Sequence, residues 1–210
     1  MRKTHFLSLP IFSAISPADH KATNSTQSGS NVSLVASFLI SRSSFFSLLQ
    51  PVNKKINVKK IDILNKSAIS NFLNDVKPNC VIHLAAQSQI PLSWINPDLT
   101  FDVNIKGTNN LLSSIVDCQL EKIPILIVGA AAQYGHIKSN GEKINENDSF
   151  APDNPYAVSK CSADLIAYQY SISHNLKIVR VRPFTHIGPG QKENFVCSEF
   201  AKKIVMIEYG

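Results

Sequence analysis

Residues 79–88 read Asn-Cys-Val-Ile-His-Leu-Ala-Ala-Gln-Ser, and this stretch decides the fold. Its centre is continuously apolar instead of alternating, which is the pattern of a strand buried on both faces in a parallel sheet. Ile123–Ala130 (Ile-Pro-Ile-Leu-Ile-Val-Gly-Ala) and Leu176–Pro183 (Leu-Lys-Ile-Val-Arg-Val-Arg-Pro) have the same character. Between them lie stretches with helical period: Ser67–Pro78, then Asp98–Cys118 behind Pro97 and despite Gly107, and Asn154–Ser173. Ile56–Leu64 (Ile-Asn-Val-Lys-Lys-Ile-Asp-Ile-Leu) reads as one more short strand ending at Asp62. The pattern predicts strands near 57–61, 80–85, 125–129 and 177–182, with helices near 68–76, 97–118 and 154–173, and a last helix over Phe200–Gly210. Strands alternating with helices at this spacing are βαβ units, so the expected class is α/β with a doubly wound parallel sheet.

The chain has 210 residues, 44% of them hydrophobic and 17% charged, an ordinary globular composition. Its net charge of +6 is unevenly placed. Residues 1–60 carry eight Lys and Arg against one acid, Asp19, whereas residues 61–210 carry 13 against 14. The folded part is therefore nearly neutral, and nucleic-acid binding is not expected. The longest apolar runs, Val32–Ile40 and Ile123–Ala132, fall well short of the ~20 residues a bilayer-spanning helix needs, so no membrane partner is expected. Cys80, Cys118, Cys161 and Cys197 are dispersed without a Cys-x-x-Cys pair, which points away from a metal site and toward reduced thiols in the cytoplasm.

Residues 1–55 form an atypical basic segment, with twelve serines in the first fifty positions and no sustained period. That composition suits an organellar transit peptide, a degenerate start or a loose tail. Residues 56–210 form the expected domain.

Tyr156-Ala-Val-Ser-Lys160 is the strongest chemical feature. Positions i and i+4 share a helix face, so phenol and ammonium can point into one cleft. A neighbouring ammonium favours the phenolate, and the expected effect of Lys160 is to lower the Tyr156 pKa from about 10 toward neutrality.

Val81–Ser88, Thr100–Leu112, Asn154–Lys160 and Arg182–Gln191 with the following Phe195–Ile204 come in an order and spacing that resemble the extended short-chain dehydrogenase/reductases acting on nucleotide sugars. Within that group the likeness is to GDP-mannose 4,6-dehydratases and GDP-6-deoxymannose reductases, and it covers roughly residues 56–208. The resemblance implies a Rossmann-type domain that uses NAD or NADP to move hydride to or from a nucleotide-sugar carbon, with a GDP-deoxysugar as substrate and a homodimer as the assembly. It implies Tyr156 as acid/base and Lys160 on the nicotinamide ribose. Asp62 and Ile63 fall beside the adenine, Leu84, Ala85 and Ala86 along the cofactor, and Pro183 and His186 at the nicotinamide. Asn104 holds the architecture on the cofactor side, while Gln87, Ser88, Ser93 and Thr185 line the sugar side. For the alanines the plain alternative is core packing, and for His186 a loop hydrogen bond.

Three departures accompany the likeness. The family's Ser or Thr, four residues before the tyrosine of Tyr134-Gly135, is Ala130, and the Glu a dehydratase needs two residues before that tyrosine is Ala132. Dehydration is thus disfavoured relative to reduction or epimerisation. Gly29 is the sole glycine before Gly107, so the glycine turn that admits the pyrophosphate is degenerate or missing. The substrate domain that follows in the family is expected to be truncated. Impaired catalysis is the expectation, and a non-catalytic remnant or interaction protein that keeps the sheet is the alternative.

Overall fold

The computed structural model describes residues 58–135, 143–188, 190–191 and 195–209, together with the backbone of Leu34–Ala36. The rest of the segment 1–55 and of the Lys138–Ser149 loop lies outside the described residues, apart from 143–149.

Four parallel strands form one sheet in the order β1-β2-β3-β4, with β1 at Leu34–Ala36, β2 at Cys80–His83, β3 at Pro124–Val128 and β4 at Lys177–Val181. Each neighbour runs parallel, with Val81 opposite Val35 and Ile125, and Ile125 opposite Ile178. A parallel pair cannot be closed by a tight turn, so each crossover carries a helix. Helix α1 (Lys66–Val76) precedes β2; α2 (Ile90–Ile95), α3 (Pro97–Phe101) and α4 (Gly107–Asp117) lie between β2 and β3. Helix α5 (Pro155–Ser173) links β3 to β4, and α6 (Val196–Tyr209) follows.

Local chemistry sets the helix boundaries. The Asn65 side chain accepts from the Ala68 amide at 3.0 Å at the start of α1, and Lys77 ends that helix in the left-handed region at φ 45° before Pro78. Asn-Pro opens both α3 and α5: Asn96 accepts from Leu99 N–H at 3.0 Å and Asn154 from Ala157 N–H at 2.9 Å. In each case the proline takes the first helical position, where a missing N–H costs nothing. The core sits where α1, α4 and α5 press on the sheet: Leu73, Leu112 and Ile115 are fully buried and meet Val81, Ile125 and Ile127. Gly107 is needed there, because a Cβ at that position would stand 2.8 Å from Cγ2 of Ile63.

Two expectations are corrected. No strand occupies residues 58–61; Lys59 and Lys60 are exposed, Lys59 pairs with Asp75 at 3.5 Å, and Ile61 alone of this stretch reaches the core's edge. Residue 57 lies outside the described residues. The helix expected over 97–118 is not continuous either. Residues Asp102–Lys106 widen into one turn of π-helix between α3 and α4.

Candidate functional site

The site lies at the carboxyl ends of β2, β3 and β4, where each strand hands over to a loop. Lys160 is buried at 8% exposure, and its Nζ donates to the carbonyl of Val128, the last residue of β3. Tyr156 precedes it by one turn of α5 and is half-buried. Burial pushes the Tyr156 phenol up to about 12, the reverse of the lowering expected from its spacing to Lys160. The reason is packing: desolvation of the phenolate outweighs the ammonium, which is itself held on a backbone carbonyl. Burial also lowers Lys160 to about 8, against the opposing pull of the Asp164 carboxylate. At neutral pH the arrangement thus holds a phenol that keeps its proton next to an ammonium.

Asn104 stands in the π turn, a geometry that often re-aims one side chain at a functional position. Its amide grips the Gln87 backbone twice, accepting from the N–H at 2.7 Å and donating to the carbonyl at 2.9 Å. It also donates to Ser159 Oγ at 2.8 Å, and Ser159 Oγ donates to the Tyr156 carbonyl at 2.7 Å. Asn104 therefore joins the loop after β2 to the first turn of α5. Below it, Thr108 Oγ1 donates to the Asn104 carbonyl at 2.6 Å and so accepts from Nε2 of His83 at 2.9 Å.

His83 is buried at 4% exposure, and burial, helped by the nearby Lys160 charge, lowers its pKa to about 3. In an unfolded chain the ring takes a proton below about 6.5, whereas the folded protein refuses it until about 3. The unfolded state binds more protons in that window, so stability falls as pH drops through it. Two units below 6.5 the loss is about 2–3 kcal/mol, at 1.36 kcal/mol per unit. Urea unfolding at neutral pH and near pH 4.5 should show this drop, and His83→Gln, which keeps a donor but does not titrate, should remove most of it. An equal drop in both proteins would count against it.

The other expected site residues fall into three groups. Leu84, Ala85 and Ala86 follow β2 directly, with Ala85 buried and its neighbours half-buried. Asp62 is exposed and closes a local turn, accepting from Leu64 N–H at 2.9 Å through Oδ1, while Ile63 is buried in the core at 3% exposure. Gln87 and Ser93 face inward, at 1% and 0% exposure. The Gln87 amide donates to Thr100 Oγ1 at 2.9 Å and to the Gln89 carbonyl at 3.0 Å, and Ser93 Oγ donates to the Ile90 carbonyl at 2.7 Å. Both side chains shape the loop from behind. Ser88 Oγ, by contrast, is a buried hydroxyl oxygen without a hydrogen-bond partner. After β4, the Pro183 carbonyl accepts from Ala131 N–H at 3.0 Å, while Thr185 and His186 are exposed and His186 Nδ1 donates to the Phe184 carbonyl.

Around Ala130 the turn is closed on itself. Ala130 N–H donates to Oε1 of Gln133 at 2.7 Å, and Gly129 N–H to the Val181 carbonyl at 2.7 Å. A Cβ on Gly129 would lie 2.2 Å from that same Oε1. Sequence reasoning missed the set behind this turn: Gln133, Asp164, Arg180 and Arg182. Its signal was there, in two arginines two apart at and just past the end of β4 and an Asp one helical turn after Lys160. Among the described residues no cluster of His, Cys, Asp or Glu is arranged to hold a metal.

A parallel sheet packed by helices, with a Tyr-x-x-x-Lys helix set against the carboxyl end of a central strand, is a Rossmann-type α/β domain. The model of the GDP-mannose 4,6 dehydratase family matches residues 33–210, and the chain belongs to that family. It is 32% identical over 151 residues to the GDP-6-deoxy-D-mannose reductase of Pseudomonas aeruginosa, covering 72% of this chain and 49% of that protein. It is 31% identical to the GDP-mannose 4,6-dehydratase of Vibrio cholerae, covering 71% of this chain and 40% of that one. Among solved structures it is similar to RMD from Pseudomonas aeruginosa complexed with NADPH, with a TM-score of 0.70 at 30% identity, over 79% of this chain and 56% of that chain. The UDP-glucose 4-epimerase of Thermus thermophilus in complex with NAD gives a TM-score of 0.64 at 27% identity, over 73% and 49%. The chain spans about half the length of the curated relatives it matches.

Proposed function

We propose that this chain carries the nicotinamide-side half of an NAD(P)-dependent oxidoreductase for a nucleotide sugar of the GDP-deoxyhexose type, working by carbonyl reduction. The observation that carries this reading is Tyr156 one turn before the buried Lys160, whose ammonium sits on the Val128 carbonyl at the carboxyl end of β3. The residues present fit the nicotinamide-ribose end of a dinucleotide: Lys160 has further N–H groups beside the one on Val128, Ala85 and Ala86 offer little bulk, and the Ser88 hydroxyl lacks a partner. Among the described residues there is no glycine turn for the pyrophosphate, so the fit is to one end of the cofactor.

When bound, a dihydronicotinamide would supply the hydride equivalent for a sugar carbonyl. Tyr156 would give its phenolic proton to the carbonyl oxygen, and Lys160 would hold the ribose and steady the resulting phenolate. Asn104 sets the distance between the loop after β2 and α5. Ala132, where a dehydratase needs a carboxylate base, favours reduction over dehydration.

Cofactor binding decides the matter. NADPH or NADH should raise the melting temperature of the chain, and Lys160→Met should abolish the rise. Consumption of nicotinamide absorbance with a panel of GDP-deoxysugars then tests the substrate class. The non-catalytic reading is favoured by Ala130, and it expects no thermal shift with any nicotinamide nucleotide. The rate should also fall as pH rises through about 8, because Lys160 loses its charge there while Tyr156 still holds its proton. A rate that stays level to pH 10 would contradict that assignment.

A homodimer fits the outer face of α5. Val158, Leu165, Tyr168 and Ile172 are exposed on it, and the helix's two charged residues, Lys160 and Asp164, are both buried. Dispersed thiols suit a reducing compartment such as the cytoplasm.

A further inference from the structure

Asp164 is 2% exposed and lies one helical turn after Lys160 on α5. Its carboxylate gathers three partners from two other elements. Arg180 of β4 and Arg182 just after it both pair with it, Arg182 Nε at 3.0 Å, and Gln133 Nε2 donates to it at 3.4 Å. Through Gln133 the contact continues to the Ala130 amide. Through Arg182 it continues to Tyr134 Oη at 2.9 Å and the Glu146 carbonyl at 3.1 Å, with the guanidinium over the Phe150 ring at 4.6 Å. Two loops and one strand thus converge on a single buried carboxylate. The turn they hold, Gly129–Tyr134, begins at the residue after Val128, whose carbonyl takes the Lys160 ammonium.

We infer that Asp164, acting through Gln133, is the positioning residue of the site: it locks the turn after β3 to α5 so that Lys160 stays seated on the Val128 carbonyl. This deepens the reading under Proposed function and rests on it only for what the seated lysine is used for. A merely structural ion pair would be indifferent to which carboxylate oxygen holds which loop. Here the amide of Gln133 is oriented by Asp164 at one end and by Ala130 N–H at the other, which leaves one rotamer for the turn.

The charged and titratable groups facing Lys160 from the packed elements are few. Asp164 shares its helix and opposes the effect of burial, while His83 from β2 is neutral at pH 7. Arg180 from β4 and Arg182 just after it are paired to Asp164, and Tyr156 is protonated at pH 7. Removing the Asp164 charge therefore leaves Lys160 with the effect of burial alone.

The test is a 13C-lysine NMR titration of the full chain, in which the Lys160 signal is the one absent from Lys160→Met. The wild-type midpoint should lie near 8. In Asp164→Asn it should move down by about one unit or more, since an opposite charge at such range typically shifts a partner by about 1–3 units. Hydrogen exchange at the Ala130 amide should quicken at least about tenfold in the same variant, the effect of losing about 1.4 kcal/mol of local stability. Gln133→Met, which keeps both arginine pairs and so keeps the fold, should quicken Ala130 exchange equally. A Lys160 midpoint unmoved in Asp164→Asn, or Ala130 exchange unchanged in Gln133→Met, would overturn the inference. NADPH protection is measured beside these: its absence in the wild type counts against the functional reading alone, because the titration and the exchange need no cofactor.

Discussion

Tyr156→Phe should lower nucleotide-sugar-dependent oxidation of NADPH by about a thousandfold, within the range of 10²–10⁴ typical of losing a positioned general acid. The substitution deletes one hydroxyl from a half-buried ring at the start of α5 and leaves the Asn154 cap, Pro155 and the Ser159 bond to the backbone of residue 156 in place. The fold should therefore be retained. Because Lys160 still sits on Val128, NADPH should still raise the melting temperature of Tyr156→Phe, whereas Lys160→Met should lose both turnover and that shift. This split separates a proton donor from a residue that only packs. If Tyr156→Phe turns over at the wild-type rate, the phenol is not the acid and the site has been assigned to the wrong residues. The direction of the phenol's pKa matters too. A phenol held near 12 keeps its proton at neutral pH but is a weaker acid than a free tyrosine, so Tyr156 should donate only as negative charge builds on the carbonyl oxygen.

How much of this was legible from residues alone depends on the kind of signal. The strands β2 and β3 were, since Val81, Ile125 and Ile127 sit in continuous apolar runs that only a doubly covered sheet can bury, whereas β4 lies where expected but is not the buried strand expected there, with Val179 57% exposed. The starts of α3 and α5 were also readable in the Asn-Pro pairs. Leu34–Ala36 was not: three residues between serines carry no period, and the strand exists only through its pairing with Cys80–Ile82. The opposite error arose at 57–61, where Val58 and Ile61 suggested a strand but Lys59 and Lys60 gave it no face to bury. The π turn escaped for a similar reason. It depends on the Thr108 hydroxyl reaching the Asn104 carbonyl, with His83 behind it, and that contact joins β2 to α4 across 25 residues.

At the site, spacing revealed that Tyr156 and Lys160 share a helix face, and the sign of their electrostatics came out differently. Spacing reports which charges are neighbours, whereas burial decides which protonation state they adopt. In a site this enclosed burial is the larger effect for both groups. Gln87 and Ser93 make the complementary point. The resemblance puts them on the sugar side, and in the structure their side chains are engaged in the loop's own hydrogen bonds. The polar groups that matter for a ligand are those the fold leaves unpaired, and Ser88 Oγ is the one such buried side-chain atom among the described residues.

Ala130→Ser should raise kcat for the same reaction by roughly a hundred- to a thousandfold, the usual worth of one donor to a developing oxyanion in a dry site. The structure explains why the wild-type turn cannot make up for the methyl group. Ala130 N–H is committed to Gln133 and Ala131 N–H to the Pro183 carbonyl, so neither backbone donor can swing toward a substrate oxygen. Ala130 itself is extended, at φ −158° and ψ 151°, a conformation serine adopts without strain. The KM for NADPH should stay put, because the new hydroxyl meets the sugar and not the cofactor. For the same reason the gain belongs to saturating cofactor. At low NADPH, where cofactor binding limits the rate, Ala130→Ser alone should give little activity. The double variant Ala130→Ser/Tyr156→Phe should keep part of the serine's gain over Tyr156→Phe, since a donor to the oxyanion still lowers the barrier when the general acid is gone. An unchanged kcat in the single variant would mean that position 130 does not face the reacting oxygen.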